Sequence, residues 1–176
     1  MLFPMERLFE QYVAIWVRRN LAADTTLTTQ AKSLYLCEQE GRDVFCLKPD
    51  LLLKRGEQRW ILDTKWKHID ATQRGKNYSL SQADFYQLYA YGQKYLKGQG
   101  EMALIYPGHS RFVGAFEPFD FDDKLRLWVL PFDLEAATLQ MHREAAFPFL
   151  RTLVDRSALS PFAFISYDPK RPPLEA

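Results

Sequence analysis

Charged residues border two neighbouring apolar runs of this sequence, and that pattern constrains the fold more than any other feature. Asp50 directly precedes the leucines at 51–53, and Asp63 directly follows the apolar residues at 60–62. The residues KRGE connect the two runs, which is typical of a short turn with glycine at a positive φ. The sequence therefore predicts paired strands that carry Asp50 and Asp63, with Asp63 and Lys65 on the same face because they are two residues apart.

The two carboxylates and the ammonium converge among apolar residues, where burial is unfavourable unless the charges pair or bind a metal ion. Oxygen ligands without histidine or cysteine suit Mg²⁺ or Mn²⁺. We therefore expect Asp50 and Asp63 to bind the metal together with the carbonyl of Thr64. Lys65 would position or help to deprotonate the attacking water in phosphodiester hydrolysis. The alternative is an ion pair of Lys65 with either aspartate at the edge of a sheet.

The remaining pattern predicts an α/β or α+β fold with a mixed sheet. Helical periodicity predicts helices from Met5 to about Leu21, from about Ser81 to Leu96, and from Asp133 to about Val154. Strands are predicted at 33–37, 44–53, 59–66, 102–106, 111–116 and 125–132, with polar stretches at 24–30 and 68–78. The first three strands would form a meander. We expect residues 1–176 to form a single domain with its core at about 5–107 and a C-terminal extension at about 108–176.

The order PD-x12-D-x-K, formed by Pro49, Asp50, Asp63 and Lys65, resembles the motif of the PD-(D/E)xK nuclease superfamily. The resemblance implies a restriction-endonuclease-like core, αβββαβ, whose mixed sheet is flanked by helices, with extra C-terminal strands and a helix. Gln87 and Tyr91 follow on one helical face and resemble the Q-x-x-x-Y motif of RecB-like members. This adds both residues to the catalytic set. The alternative for them is an ordinary helix face packed on the sheet.

Longer stretches resemble the nuclease domain of the McrC family, the cleaving subunit of modified-cytosine restriction systems of the McrBC type. They are FPMERLFEQYVA, LKPDLLL, ILDTKWK, YSLSQADFYQLYAYGQKYL and MALIYP, within roughly residues 3–135. The resemblance implies a Mg²⁺-dependent DNA endonuclease and an AAA+ GTPase partner that recognises methylated DNA. McrC proteins generally carry a docking region ahead of this domain, whereas the first helix here begins within ten residues of Met1. We therefore expect an excised domain or a shortened homologue.

Glu10 lies at the margin of the apolar face of the first helix, where some superfamily members place another acidic residue near the metal. It is either a further metal ligand or an exposed charge that pairs with Arg7. The three histidines have no ligand spacing, so we assign no metal to them. Cys37 and Cys46 are expected to be buried thiols in a reducing compartment.

The formal net charge of +1 conceals two segments of opposite sign. Residues 48–76 carry eight basic and four acidic side chains, and residues 101–135 carry three basic and seven acidic ones. The basic segment contains the predicted site and favours contact with DNA phosphates, although both segments could be ordinary solvated faces. No apolar run reaches the roughly 20 residues that span a bilayer, and the N-terminus lacks a signal-peptide pattern. We expect a cytoplasmic protein without a membrane partner.

Three functions are compatible with the sequence. The first is a Mg²⁺-dependent, McrC-like endonuclease that cuts DNA without reading bases itself. The second is a RecB-like nuclease of repair or recombination that has no GTPase partner. The third is a non-catalytic subunit that keeps the fold to bind DNA or a motor, although the intact Asp50, Asp63 and Lys65 favour an enzyme.

Overall fold

A computed structural model describes residues 4–121 and 124–140 of the chain. Within these residues lie two α-helices and nine strands: α1 (Met5–Arg19), β1 (Thr26–Thr29), β2 (Leu34–Gln39), β3 (Arg42–Leu47), β4 (Leu51–Arg55), β5 (Gln58–Thr64), α2 (Gln82–Tyr95), β6 (Gly100–Pro107), β7 (Phe119–Asp120), β8 (Leu125–Asp133) and β9 (Thr138–Leu139). A 3₁₀ segment, Arg74–Ser79, lies between β5 and α2. Neither of these α-helices is long and apolar enough to cross a membrane.

Seven of the described strands form one mixed sheet in the order β1-β4-β5-β6-β8-β7, with β9 paired to β8. Strand β4 is antiparallel to both of its neighbours, β1 and β5, whereas β5, β6 and β8 run parallel. The crossover from β5 to β6 contains α2, as parallel neighbours require. The mixed α/β fold expected from the sequence is confirmed.

Side chains alternate between the two faces of the sheet and build a hydrophobic core on each. On one face, Trp60 and Leu62 of β5 pack in the same cluster as Phe9 and Val13 of α1. On the other face, Ile61 packs in the cluster that contains Leu88, Tyr91 and Tyr95 of α2. Because the side-chain period of a strand is two residues, Asp63 follows Ile61 onto the α2 face.

The first two members of the predicted meander are wrong. The predicted strand 44–53 is divided into β3 and β4, because Pro49 has no N–H for a ladder and stands between them. The predicted strand 33–37 corresponds to β2, but β2 pairs with β3 in a separate two-stranded sheet. The predicted strand 59–66 corresponds to β5, and the other strand that pairs with β4 is β1, which lies in the polar stretch 24–30 that was expected to break the pattern.

Three further expectations need correction. Residues 111–116 form no strand: His109 and Phe112 close a tight turn, and the apolar Phe112 fills the core. Asp133 ends β8 and caps a turn by accepting the N–H groups of two following residues, so no helix begins there; residues 141–154 of the predicted helix lie outside the described residues. Cys37 and Cys46 are free thiols, but Cys37 is exposed and Cys46 is partly exposed, so the expected burial is wrong. They lie on the β2–β3 hairpin, which is outside the main sheet.

Candidate active site

The β4–β5 hairpin brings Asp50 and Asp63 to the same end of two strands. Its turn consists of Gly56 and Glu57, and the ladder ends with Leu51 opposite Leu62. Gly56 has a φ of +56°, the left-handed conformation that glycine adopts without strain. One further step of the register sets Asp50 opposite Asp63, since paired residues of antiparallel strands share a face.

Asp50 is oriented by the end of β5. Its Oδ2 accepts hydrogen bonds from the amide of Thr64 at 2.8 Å and from the hydroxyl of Thr64 at 2.7 Å. The sequence suggested that the carbonyl of Thr64 binds a metal, and this stays a prediction. The structure adds a contact that the sequence did not indicate: the amide and hydroxyl of Thr64 orient the carboxylate of Asp50.

Asp63 and Lys65 form a buried ion pair, as their shared strand face predicted. Asp63 is only 2% exposed, and its Oδ2 lies 2.6 Å from Lys65 Nζ. Burial, and then the negative charge of Asp50, raise the pKa of Asp63 to about 7. Burial alone would lower the pKa of Lys65, but the charge of Asp63 and their hydrogen bond raise it overall. By itself, this pair also fits the alternative of a simple ion pair at the edge of a sheet. Its chemical role depends on the residues around it.

Gln87 and Tyr91 connect α2 to this ion pair through a chain of hydrogen bonds. Lys65 Nζ donates to Gln87 Oε1 at 2.8 Å, and Gln87 Nε2 donates to the hydroxyl of Tyr91 at 3.0 Å. That hydroxyl donates to the carbonyl of Lys48 at 3.1 Å, two residues before Asp50. The Q-x-x-x-Y pair therefore contacts the residue that follows β5 and a residue ahead of β4, which an ordinary packing face would not require.

Glu10 reaches the site through Gln30. Gln30 Nε2 donates to Glu10 Oε1 at 2.5 Å and lies 3.4 Å from Asp50 Oδ1, while the amide of Gln30 donates to the carbonyl of Asp50. Burial raises the pKa of Glu10, and the hydrogen bond from Gln30 opposes that rise. Glu10 thus points toward the sheet. Its expected role as a metal ligand stays a prediction.

Asp84 is a buried acid beside the site that sequence reasoning missed. It accepts hydrogen bonds from Lys67 Nζ at 2.9 and 3.1 Å, and the hydroxyl of Tyr106 lies 3.4 Å from its Oδ2. Its negative charge contributes to the raised pKa of Asp63. The signal was present in the sequence, because Asp84 precedes the buried Leu88 and Tyr91 by four and seven residues along α2.

The donor chemistry of the site suits a hard divalent cation. Mg²⁺ commonly uses one or two carboxylates and completes its octahedron with water and substrate phosphate. Asp50 and Asp63 meet that need, and Asp63 Oδ2 is a buried oxygen whose neighbour is Lys65 Nζ, 2.6 Å away. No group of three or more His, Cys, Asp or Glu in the described part of the chain is placed to hold a metal. Glu10 is therefore not gathered into a common cluster with the two aspartates.

The basic side chains of residues 48–76 are spread over both ends of the hairpin and the 3₁₀ segment, which contains Arg74 and Lys76. Lys54 and Arg59 lie next to the turn, about 13 Å along β5 from Asp63. Lys65 and Lys67 lie at the site end and pair with Asp63 and Asp84. The net charge of the segment is therefore not concentrated at the site.

A cleft of about 780 Å³ lies at the turn end of the sheet, where Gln58, Tyr95 and Gly100 contribute to its walls. It includes none of the predicted site residues. The candidate chemistry is therefore at the opposite end of β5 from this cleft.

Fold and site together define a mixed α/β protein with a carboxylate–lysine centre where β4 begins and β5 ends. Comparison with known proteins makes this more specific. The chain belongs to the family described as McrBC 5-methylcytosine restriction system component, whose sequence model matches residues 1–107.

Among solved structures, the chain is similar to a chain from a half-complex of a tetradecameric assembly of Thermococcus gammatolerans McrB AAA+ hexamers with bound McrC. The TM-score is 0.58 at 18% sequence identity, over 85% of this chain and 32% of that chain. This similarity concerns the fold. The present chain spans about a third of the length of that neighbour. No curated protein matches the chain.

Proposed function

We propose that this protein is the DNA-cleaving component of a modification-dependent restriction system. In this proposal it is a Mg²⁺-dependent endodeoxyribonuclease with a PD-(D/E)xK core, and it acts with an McrB-like AAA+ GTPase in the cytoplasm. The observation that carries the proposal is the convergence of Asp50, Asp63 and Lys65, with Lys65 held by Gln87. Family membership supports the restriction role, and the bound McrC of the Thermococcus assembly supports the choice of partner.

Asp50 and Asp63 would hold Mg²⁺, with the Thr64 carbonyl as a further oxygen ligand and Glu10 beside them. Mn²⁺ is the expected substitute, because it accepts the same oxygen ligands. A bound cation of this kind neutralises charge on the phosphoryl oxygens and lowers the pKa of a water molecule.

Lys65 supplies the cation of the protein itself. Its ammonium is 2.6 Å from Asp63 Oδ2 and 2.8 Å from Gln87 Oε1, so two contacts fix its direction. An ammonium has three donors, and the third would serve the attacking water or a phosphate oxygen. Because Gln87 is itself bonded to Tyr91, the direction of Lys65 depends on the position of α2.

The reaction can be tested with the purified full chain and its cognate GTPase on methylated and unmethylated DNA, in the presence of GTP and Mg²⁺. We expect cleavage of the methylated DNA, and at least a 100-fold loss of rate for Asp63→Ala or Lys65→Ala. Asp120→Ala is the matched control, because Asp120 pairs with Arg126 in an exposed ion pair on β7 and β8. Wild-type rates for both site variants would contradict the assignment of the site.

The same assay distinguishes the two other functions. Cleavage that requires neither methylation nor a GTPase would favour a RecB-like nuclease of repair or recombination. If calorimetry detects no Mg²⁺ or Mn²⁺ binding and no cleavage occurs, the chain is a non-catalytic subunit that binds DNA or a motor.

A further inference from the structure

Lys67 and Asp84 form an ion pair whose two members differ in exposure. The side chain of Asp84 is 9% exposed, whereas that of Lys67 is 50% exposed. Lys67 Nζ lies 2.9 and 3.1 Å from the two carboxylate oxygens of Asp84. On the inner side of this carboxylate lies the fully buried Tyr106, whose hydroxyl is 3.4 Å away. The pair therefore presents its ammonium to solvent and its carboxylate to the core.

Two ion pairs elsewhere in the described chain lack this difference. In the pairs Arg55–Asp24 and Arg126–Asp120, the side chains are exposed by 41–57%. Such pairs hold their members loosely, because both charges remain solvated. A buried carboxylate has lost its hydration, so it binds its partner more strongly and fixes the direction of the ammonium. We conclude that Lys67 is held in place more firmly than an ordinary surface lysine.

Helix α2 holds both Lys65 and Lys67. Asp84 and Gln87 are three residues apart in α2, so their side chains are neighbours on one face. Gln87 Oε1 accepts the hydrogen bond from Lys65, and Asp84 accepts those from Lys67. The ammonium of Lys67 is therefore fixed beside the candidate active site.

The ammonium of Lys67 has more donors than Asp84 uses. An ammonium carries three N–H donors, and the contacts with Asp84 occupy at most two of them. The remaining donor would serve an anion that approaches from solvent. Phosphates follow one another about every 3.4 Å of helix axis along one DNA strand. A strand whose cleaved phosphate lies at Lys65 would therefore bring a neighbouring phosphate to Lys67.

We propose that Lys67 contacts a DNA phosphate next to the cleaved one, and that Asp84 is the positioning residue that directs its ammonium. This role rests on the proposed function, because it places the cleaved phosphate at Lys65. The contact holds the DNA in register at the site without reading its bases. It depends on the positive charge of residue 67, so arginine should preserve it and glutamine should abolish it.

The salt dependence of DNA binding by the full chain tests this contact. Each phosphate contact adds about 0.9 to the slope of log K against log salt, a factor of about 3.5 between 50 and 200 mM. Fluorescence anisotropy with a labelled duplex and a chelator measures that slope without cleavage. We expect Lys67→Gln to lower the slope by about 1 and Lys67→Arg to keep it. Lys54→Gln is the matched control and should keep the wild-type slope, because it removes the same charge at the turn end of the hairpin.

A second comparison removes the effect of Lys67→Gln on folding. That substitution alone leaves Asp84 buried and unpaired, which destabilises a folded chain. Asp84→Asn retains the lysine, and the double variant Lys67→Gln/Asp84→Asn leaves neither charge of the pair. We expect the slope of the double variant to be about 1 lower than that of Asp84→Asn.

Equal slopes for Asp84→Asn and the double variant would overturn the proposal, as would an equal loss of slope for Lys54→Gln. Absence of DNA binding by the wild type at about 50 mM salt would overturn it as well. The proposed function is decided separately by the cleavage assay with the cognate GTPase. If the wild type cleaves methylated DNA and Lys67→Gln keeps the wild-type slope, only the role of Lys67 is wrong.

Discussion

Asp63→Asn should make the metal-free protein more stable at pH 8, although it removes a residue of the candidate active site. Burial and the charge of Asp50 raise the pKa of Asp63 from 3.8 to about 7. A carboxyl whose pKa is higher in the folded state binds more protons there, so stability falls as the pH rises between these two values. Above pH 7 Asp63 is ionised in the folded protein, and the loss in the free energy of unfolding has reached its maximum.

The pKa shift sets the size of the effect. Each pKa unit corresponds to about 1.4 kcal/mol, so the rise to about 7 gives a ceiling of ~4 kcal/mol. The attraction of Lys65 is already part of that balance, because it acts on the ionised form of Asp63. Asparagine mimics the protonated acid in shape and charge. For a chain of this length, 1 kcal/mol moves Tm by roughly 2–4 °C, so the ceiling corresponds to about 10 °C.

The assay is thermal denaturation of wild type and Asp63→Asn between pH 4 and pH 8 in the presence of a chelator. The difference in Tm should be small at pH 4 and should increase toward pH 8 in favour of the variant. Added Mg²⁺ should then raise the Tm of the wild type and leave that of the variant almost unchanged. A variant that is no more stable than wild type at pH 8 would refute the reasoning on burial, and an equal response to Mg²⁺ would refute the assignment of Asp63 as a ligand.

Three further predictions concern a contact of Lys65, the turn of the β4–β5 hairpin and the hydrogen bonds of Asp70. Gln87→Leu should lower the cleavage rate roughly 10–100-fold, because Lys65 loses its hydrogen bond to Gln87. Losses of this size are typical when a residue that orients a catalytic group is removed. A rate equal to that of the wild type would contradict this prediction. Gly56→Ala should lower the free energy of unfolding by ~1 kcal/mol, because its φ of +56° is left-handed and a Cβ there meets no atom within 4 Å, as chemical denaturation would measure. Hydrogen bonds from Thr72 lower the pKa of Asp70 to about 2, so Asp70→Asn should be less stable than wild type at pH 7, and the difference should disappear as the pH falls from about 4 to 2.

The parts of the fold that the sequence predicted well are those governed by local periodicity. Both helices of the described region and the strands β5, β6 and β8 lie where apolar spacing placed them, within a few residues. The shared face of Asp63 and Lys65 follows from the same period of two. These features depend on neighbours along the chain, which a single sequence displays directly.

Features that depend on distant partners were not predicted. The polar strand β1 is stabilised by its pairing with β4, about 25 residues later in the chain. Its three threonines favour a strand, but they form no apolar face that would have indicated one. Gln30 and Asp84 reach the site from separate elements, and their roles depend on how those elements pack. The helical spacing of Asp84 indicated that it shares a face with Leu88 and Tyr91, whereas no pattern in the sequence indicated the contacts of Gln30.

The number of residues in the hairpin also determines whether Asp50 and Asp63 lie on the same face of the sheet. The twelve residues between them consist of five in β4, a turn of two, and five in β5. One residue inserted into a single strand would rotate Asp63 to the α1 side of the sheet and separate the two carboxylates. One residue added to each strand would lengthen the hairpin and leave the aspartates opposite each other. Spacings of ten, twelve or fourteen residues are therefore compatible with such a site behind a two-residue turn, and odd spacings require a bulge or a different turn.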